Sequence, residues 1–489
     1  MLRRRRATLS PGIDRALVSD LIKAVSADRV RADAAARALY SHDASIYDDG
    51  VAGPTCFVET TEEVQAVMRV AEKHNSAIVP RGAGTGLSGS AIPLGTPIVV
   101  STSRMKRILE VDTTNRIAWV EPGVVNLELS RYLRPMGFHF APDPSSQQVC
   151  TIGGNVATNA GGPHCLAYGV TNTHILAMEI VLPTGEVAML GGIDAEPAGL
   201  DLRGVFVGSE GMMGIATKIA IALTPNPPDV RTLLMSYDTV RAAAETVSAV
   251  IADGIVPAAM EIMDNRIIQA IEDYVHAGYP RDAAAVLLAE VEGLGAGVEA
   301  DATRIAEIAR EHGATNVRIA EDDAERMLLW KGRKTAFGAT ANIAPKYYLH
   351  DTVIPRSQLA DVLDKVYEIA DRYELKVVNV FHAGDGNLHP MLLFDPSEDG
   401  ITERVHAAGE EVVRASLDAG GVLSGEHGIG VEKQKFMGEM FSDADLDHQE
   451  RLRRAFDPKC RANPGKVIPS SHSCADIQAL REVPSEVWG

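Results

Sequence analysis

The stretch PRGAGTGLSGSAIP, Pro80 to Pro93, limits the fold more than any other part of this sequence. Gly84, Gly86 and Gly89 have the G-x-G-x-x-G spacing that opens a nicotinamide-binding Rossmann unit. A strand-like SAIVP precedes them, and Glu110 and Asp112 follow at a suggestive distance. In a Rossmann unit the third glycine lies where a helix begins, and the helix N-terminus holds the pyrophosphate. Here Pro93 and Pro97 fall in what would be the helix interior, where each proline costs roughly 3 kcal/mol. The helix cannot form, the motif fails on its context, and the two acids become coincidental. What remains is a loop of small residues, Gly82, Gly84, Gly86 and Gly89, with Arg81, Thr85 and Ser88 between them. Its backbone amides can converge on an anion. Taken alone, it reads equally as a diphosphate cradle or as a tight turn.

More loops of the same kind follow. TIGGNVATNAGGPHCLAYG, residues 151–169, carries Gly153, Gly154, Gly161 and Gly162, with Asn155, Thr158 and Asn159 offering hydrogen bonds. Upstream lies APDPSSQQ with Asp143, Ser145 and Ser146, and downstream FVGSEGMMGIAT with Gly208, Ser209, Glu210, Gly211 and Gly214. Four polar, small-residue loops within about 135 residues exceed what turns require and suit a long, polar, extended ligand.

The segment TPNPPDV, residues 224–230, has three prolines in seven residues and marks the clearest boundary in the chain. Before it, helix-like and strand-like pieces alternate. In TTEEVQAVMRVAEKHN, Val64, Val67, Met68 and Ala71 share one helical face with Thr60 or Thr61 as cap, and SAIVP and TPIVVS read as short buried strands. After the boundary come amphipathic helices, TVRAAAETVSAVIADG and SQLADVLDKVYEIADRYE, flanked by strand-like runs. That texture suits an α+β domain with helices on one antiparallel sheet.

The 489 residues suffice for two or three domains. A net charge of −19, from 47 basic and 66 acidic residues, disfavours nucleic acid as a partner. Five cysteines (Cys56, Cys150, Cys165, Cys460, Cys474) form no C-x-x-C pair. They read as reduced thiols of a cytoplasmic protein, without an iron–sulfur cluster or a cysteine-based zinc site. No apolar run is long enough to span a membrane. The opening MLRRRRATLSPGID reads as a solvated arm rather than a targeting segment, because Asp14 and Asp20 soon follow.

The reactive side chains lie in the second half. VVNVFHAGDGNLHPMLLF reads as a hairpin with AGDG as its turn. His382 then faces Asn387 across the ladder, and His389 is its diagonal neighbour on the same face, close enough for two imidazoles to share one ion. In GVLSGEHGIGVEKQK, Glu426 and His427 stand between Gly425 and Gly428, which suggests close approach to a ligand. Two readings are open from the residues alone. One is a surface turn with a salt bridge; the other is a two-histidine, one-carboxylate divalent metal site made by His382, His389 and Glu426.

The order PRGAGTGLSG, PDPSS, TIGGNVATNAGG, YGVTNTHILAMEIVLPTGE, VGSEGMMGI resembles the FAD-binding domain of the vanillyl-alcohol-oxidase/PCMH superfamily. The later FHAGDGNLHP, SGEHGIGVEK and NPGKVIP resemble its D-2-hydroxy-acid dehydrogenase branch, in which glycolate oxidase flavoprotein subunits, D-lactate dehydrogenases and D-2-hydroxyglutarate dehydrogenases fall. The resemblance spans about residues 40–470. It implies an α+β protein, with a PCMH-type FAD-binding domain over residues 1–225. A ferredoxin-like α+β substrate and metal cap domain would follow over 226–440, and residues 441–489 would return to the FAD domain.

It also implies roles. Arg81, Gly82, Ala83, Gly84, Thr85, Gly86, Leu87, Ser88 and Gly89 would cover the FAD diphosphate. Pro142, Asp143, Ser145, Thr151, Gly153, Gly154, Asn155, Asn159, Gly161, Gly162, Glu210, Gly214, Ile215 and Asn463 would line the rest of the cofactor. Some relatives attach flavin through a histidine in the first glycine loop. None occurs between Pro80 and Pro93, so FAD is expected to be non-covalent. His382, His389 and Glu426 would hold the metal, zinc by ligand type, with manganese or iron also suited. His427 would be the base, and Arg333 and Lys346 would clamp the substrate carboxylate.

The expected reaction is oxidation of a small D-2-hydroxy acid, glycolate or D-lactate, to the 2-keto acid, with a metal-assisted loss of the hydroxyl proton and hydride transfer to flavin N5. Phe337 stands where hydroxyglutarate dehydrogenases tend to carry a hydroxyl, which leans the reading to a monocarboxylate. The alternatives are a D-2-hydroxyglutarate dehydrogenase, another flavin alcohol oxidoreductase on this fold, and a non-catalytic electron-relay subunit. The expected acceptor is a quinone, a cytochrome or partner redox subunits in a hetero- or homo-oligomer, with any membrane association made through a partner. The whole reading requires the hairpin and the GEHG segment to converge on one cation beside the flavin ring.

Overall fold

The structure, a computed structural model, describes residues 13–47, 50–193 and 199–469. The arginine run Arg3–Arg6 and the closing residues from 470 on lie outside them. The chain forms two compact units. The first comprises residues 1–160, 170–225 and 427–489, and the second residues 161–169 and 226–426.

In the first unit SAIVP and TPIVVS form the strands Ile78–Arg81 and Ile98–Ser101, which pair in parallel. With Thr55–Phe57 and Val30–Arg31 they make a four-stranded sheet. The Thr61–Lys73 helix is capped by Thr60, whose hydroxyl accepts from the Glu63 amide. It buries Val64, Val67, Met68 and Ala71 in a core with Ile78, Ile98 and Val100. Between Arg81 and Ile98 no helix forms, as Pro93 and Pro97 require. A second, five-stranded antiparallel sheet runs in the order Ile108–Asp112, Ile117–Val120, Ile215–Ala222, Ile175–Val181, Val187–Gly191.

The returning segment explains why the second unit ends at Glu426 and not near 440. Ser88 Oγ donates to the His427 carbonyl at 2.9 Å, and the Ser88 carbonyl accepts from Val431 and Glu432. Further on, Ala462 bridges to Ile78, and the Asn463 amide donates to the Ile78 carbonyl. Backbone pairing of this kind carries no pattern in side-chain type. Cys56, Cys150 and Cys165 are free thiols. Cys460, read from sequence as a thiol, is disulfide-bonded, a pairing that spacing does not reveal; Cys474 lies outside the described residues. Among the described residues no helix is long and apolar enough to cross a membrane.

The second unit repeats one motif. Its first half has strands Asp229–Tyr237, Ala259–Asp264, Ala285–Gly293 and Ala314–Ile319, with helices Val240–Ala252 and Gly295–Glu311 as the crossovers. The strands lie in the order fourth, first, third, second, all antiparallel, which is the ferredoxin-like arrangement. The second half runs through Lys346–Leu349 and Thr352–Val353, helix Leu359–Arg372, strand Lys376–His382, the returning Asn387–Leu388 and Pro390–Phe394, and helix Ile401–Asp418. Val422 then bridges back to Val353, which reproduces the same strand order. The second strands of the two halves meet at the centre, pairing Glu261 with His382, Ile262 with Phe381 and Met263 with Val380. One continuous sheet results.

Candidate active site

The first unit contains a cleft lined by Pro80, Arg81, Gly82, Thr102, Pro122, Gly153, Gly154, Val156, Ala157, Phe206, Gly211, Gly214, Ile215 and Ala216. Three of the four polar loops thus meet on one space. Thr151 caps the Ile152–Thr158 helix by accepting from the Gly154 amide. The Arg81 guanidinium is buried, stacks at 5.4 Å on Tyr40, and leaves Nη1 without a hydrogen-bond partner. Burial pushes its pKa down from the ordinary arginine value. A Cβ on Gly84 would fall 2.1 Å from Arg81 Nη2, so only glycine lets the loop close over this cation. A buried, unpaired guanidinium beside a glycine-lined cleft fits an anionic group such as a diphosphate.

Other residues expected at the cofactor serve the scaffold in the described contacts. Glu210, buried, accepts from the Ile429 amide at 2.6 Å and from Gly430 at 2.9 Å. Burial raises its pKa, against the Ser90 hydroxyl and these two amides. Asn463 adopts a positive φ and donates to the Ser90 and Glu210 carbonyls. Asn155 accepts from Asn126 Nδ2, the Pro142 carbonyl accepts from the same amide, and Asn159 Oδ1 accepts from the Asn172 amide. Ser145 is exposed, and Ala83, Thr85, Gly86 and Leu87 are half-buried on the loop. Gly161 and Gly162 belong to the second unit. A Cβ on Gly161 would lie 3.1 Å from Glu426 Oε2 and 2.8 Å from Cys165 Sγ.

In the second unit His382 pairs with Asn387, the register expected from the turn length. The His382 and His389 rings lie 5.0 Å apart at 87°. Glu426 Oε1 is 3.0 Å from His389 Nε2 and 3.4 Å from His382 Nε2. One ligand atom from each of the three falls within 4.8 Å of the others, and all three residues are buried. Two imidazole nitrogens and a carboxylate turned onto one point form a donor set that suits a divalent ion.

Each member is braced from behind. His389 Nδ1 donates to the His350 carbonyl at 3.2 Å, which leaves Nε2 toward Glu426. His382 Nδ1 meets Glu261 Oε1 at 2.7 Å. Burial opposes a charged His382, yet the Glu261 and Glu426 carboxylates hold its pKa well above the ordinary histidine value; a bound cation would compete with that proton. The buried Asp351 carboxylate accepts from the Ser424 hydroxyl at 2.6 Å and from the Gly425 and Glu426 amides, so it fixes the backbone that presents Glu426. In the hairpin turn, burial pushes the Asp385 carboxyl up to about 6, against the His382 charge and the Asn387 amide.

Arg333, on the Asp323–Ala339 helix, is 1% exposed and gives its Nε to Glu261 Oε2 at 2.6 Å. Its Nη2 has no partner among the described residues, and its guanidinium carbon stands 6.0 Å from the Phe337 ring centroid. Arg333 therefore joins the cluster through Glu261. Lys346 does not: it is exposed at the start of its strand, opposite Phe394, and makes no ion pair with the cluster among the described residues. His427 begins the segment that returns to the first unit, directly after Glu426. Glu261 and Asp351 had no signal in sequence beyond being acids in strand-like runs.

Two sheets with glycine-rich loops followed by a doubled ferredoxin-like unit make a PCMH-type fold, and the comparisons give the family. Residues 54–191 match the family described as FAD binding domain, and residues 226–467 match FAD linked oxidases, C-terminal domain. The chain is 45% identical over 419 residues to glycolate oxidase subunit GlcD of Escherichia coli (strain K12), covering 86% of this chain and 84% of that protein. It is 37% identical to glycolate oxidase subunit GlcD of Bacillus subtilis (strain 168), covering 89% and 93%. It is 31% identical to D-lactate dehydrogenase of Anaerostipes hadrus, covering 88% and 92%. The solved structure of p-cresol methylhydroxylase with substrate bound superposes with a TM-score of 0.81 at 18% identity, over 96% of this chain and all of that one. This protein belongs to the FAD-linked oxidase family and is an FAD-dependent oxidoreductase.

Proposed function

We propose that the protein oxidises a small D-2-hydroxy acid, glycolate or D-lactate, to the 2-keto acid. The observation that carries this reading is the buried convergence of His382, His389 and Glu426, with Arg333 linked to it through one shared carboxylate. Similarity to glycolate oxidase subunits and a D-lactate dehydrogenase supports the substrate class. FAD, held non-covalently by Arg81 and the glycine loops, supplies the hydride acceptor. A divalent ion held by His382, His389 and Glu426 supplies the Lewis acidity that makes a substrate hydroxyl a usable acid at neutral pH.

The remaining work falls to the chain. Arg333 Nη2, buried and without a partner among the described residues, donates to the substrate carboxylate in a charge-assisted hydrogen bond. His427 takes the hydroxyl proton as general base. Low exposure around the cluster keeps water from competing for the open positions. Phe337 beside Arg333 offers no donor to a second carboxylate, which favours a monocarboxylate over 2-hydroxyglutarate. Electrons then pass to a carrier, a quinone, a cytochrome or a partner redox subunit, in keeping with relatives that are named as subunits.

The test is anaerobic mixing of the yellow protein with a panel of 2-hydroxy acids and alcohols, with metal analysis of the same sample. Glycolate and D-lactate should bleach the flavin faster than D-2-hydroxyglutarate, and one divalent ion should be found per chain. Bleaching by alcohols lacking a carboxylate, and by none of the acids, would overturn the proposal.

A further inference from the structure

Glu261 stands at the seam of the second unit, with no exposure to solvent, and both of its oxygens are taken. Oε1 faces His382 Nδ1 at 2.7 Å, and Oε2 accepts from Arg333 Nε at 2.6 Å. Its strand places it directly opposite His382 in the ladder, while Arg333 arrives from a helix. One carboxylate thus holds two groups with different tasks.

We propose that Glu261 is a positioning residue with two arms: it fixes the His382 tautomer that turns a bare Nε2 toward Glu426 and the ion, and it sets the Arg333 guanidinium for the substrate carboxylate. The proposal rests on the metal site proposed above. The chemistry of the partners decides how the arms separate. Arginine can only donate, whereas imidazole can donate or accept at Nδ1 depending on its tautomer. In Glu261→Gln the amide oxygen must therefore face Arg333, and the amide NH₂ turns to His382. Nδ1 then becomes the acceptor, its proton moves to Nε2, and that nitrogen no longer binds a cation. The isosteric change removes the metal arm and spares the substrate arm.

The experiment titrates metal-stripped, FAD-bound full-length protein with Zn²⁺ against a competing chromogenic chelator. Glu261→Gln should bind Zn²⁺ about 10- to 100-fold more weakly than the unmodified chain, the range for loss of a partner behind a ligating histidine. At saturating Zn²⁺ its KM for the acid that bleaches the flavin should stay near the unmodified value. Glu290→Gln serves as the control. Glu290 is another buried carboxylate of the same sheet, bonded to Thr232 and Trp330, and this variant should bind Zn²⁺ as the unmodified chain does. Equal Zn²⁺ affinity in Glu261→Gln and the unmodified chain would overturn the proposal, as would an equal loss in both variants. If the unmodified chain itself takes up no Zn²⁺, the metal reading falls first and this inference falls with it, a result distinct from the other two.

Discussion

The cleft of the first unit and the cluster of the second are built by opposite means. In the cleft, space comes from missing side chains: glycines let the loops approach, and Nη1 of one buried cation, Arg81, has no hydrogen-bond partner among the described residues. In the cluster, side chains do everything, and His382, His389 and Glu426 each rest on a further buried acceptor, Glu261, the His350 carbonyl or Asp351. The first unit thus leaves Arg81 Nη1 open to a further anionic partner. The second is pre-set, with its orientation fixed before any ligand arrives.

That contrast makes removal of a side chain from the proposed metal site the harshest test. His389→Ala should lower turnover by roughly 10³-fold or more, since Lewis-acid assistance is worth several kcal/mol, while bound FAD per chain stays unchanged. Concurrent loss of flavin would show that the two sites are not separable. Arg81→Met should do the reverse. FAD affinity should fall by roughly 10- to 100-fold with the loss of a charged donor, yet the FAD-free protein should melt little lower, because the cost of burying the guanidinium offsets its contact with the Tyr40 ring. Isothermal titration with FAD and a melting curve of the FAD-free protein would read the two effects.

Asp351→Asn weakens the charge-assisted bonds to Ser424, Gly425 and Glu426 and should cost about 3 kcal/mol in chemical unfolding of the metal-free protein. A cost near zero would mean that the GEHG backbone is held by other contacts. The last effect is a pH dependence. The Asp385 pKa of about 6 in the folded chain lies above the ordinary 3.8, so folding favours its protonated form. Its contribution is complete below about pH 4 and is lost as pH rises through about 6, amounting to at most about 3 kcal/mol. Asp385→Asn should flatten the stability profile of the metal-free protein over that window.

What was legible in the sequence follows the same division. The hairpin register that brings His382 and His389 together depends on a turn of fixed length, so it can be counted from the sequence. The prolines that exclude a Rossmann helix act on their own neighbours and are equally local. Glu261 is invisible at that level because it meets His382 across 121 positions of chain, through a strand pairing that no spacing encodes. Asp351 lies beside His350 in YYLHD and becomes meaningful only when Ser424 and Gly425 fold back onto it. Gly161 and Gly162 belong to a motif whose flanks look uniform, yet the chain changes unit between Ala160 and Gly161. Lys346, a cation in a promising run, is exposed at the start of its strand, a placement that the run itself does not encode.

The doubled ferredoxin-like sheet has a consequence for how this chemistry could be divided. Glu261 belongs to one copy of the motif and His382, His389 and Glu426 to the other, with the boundary between copies running through the bond from Glu261 to His382. Severing the polypeptide between the copies would leave each fragment with a complete β-α-β-β-α-β topology and neither with a braced histidine. On the proposed function, competence for catalysis is a property of the join, and recombining such halves from different relatives would be expected to preserve folding more readily than function.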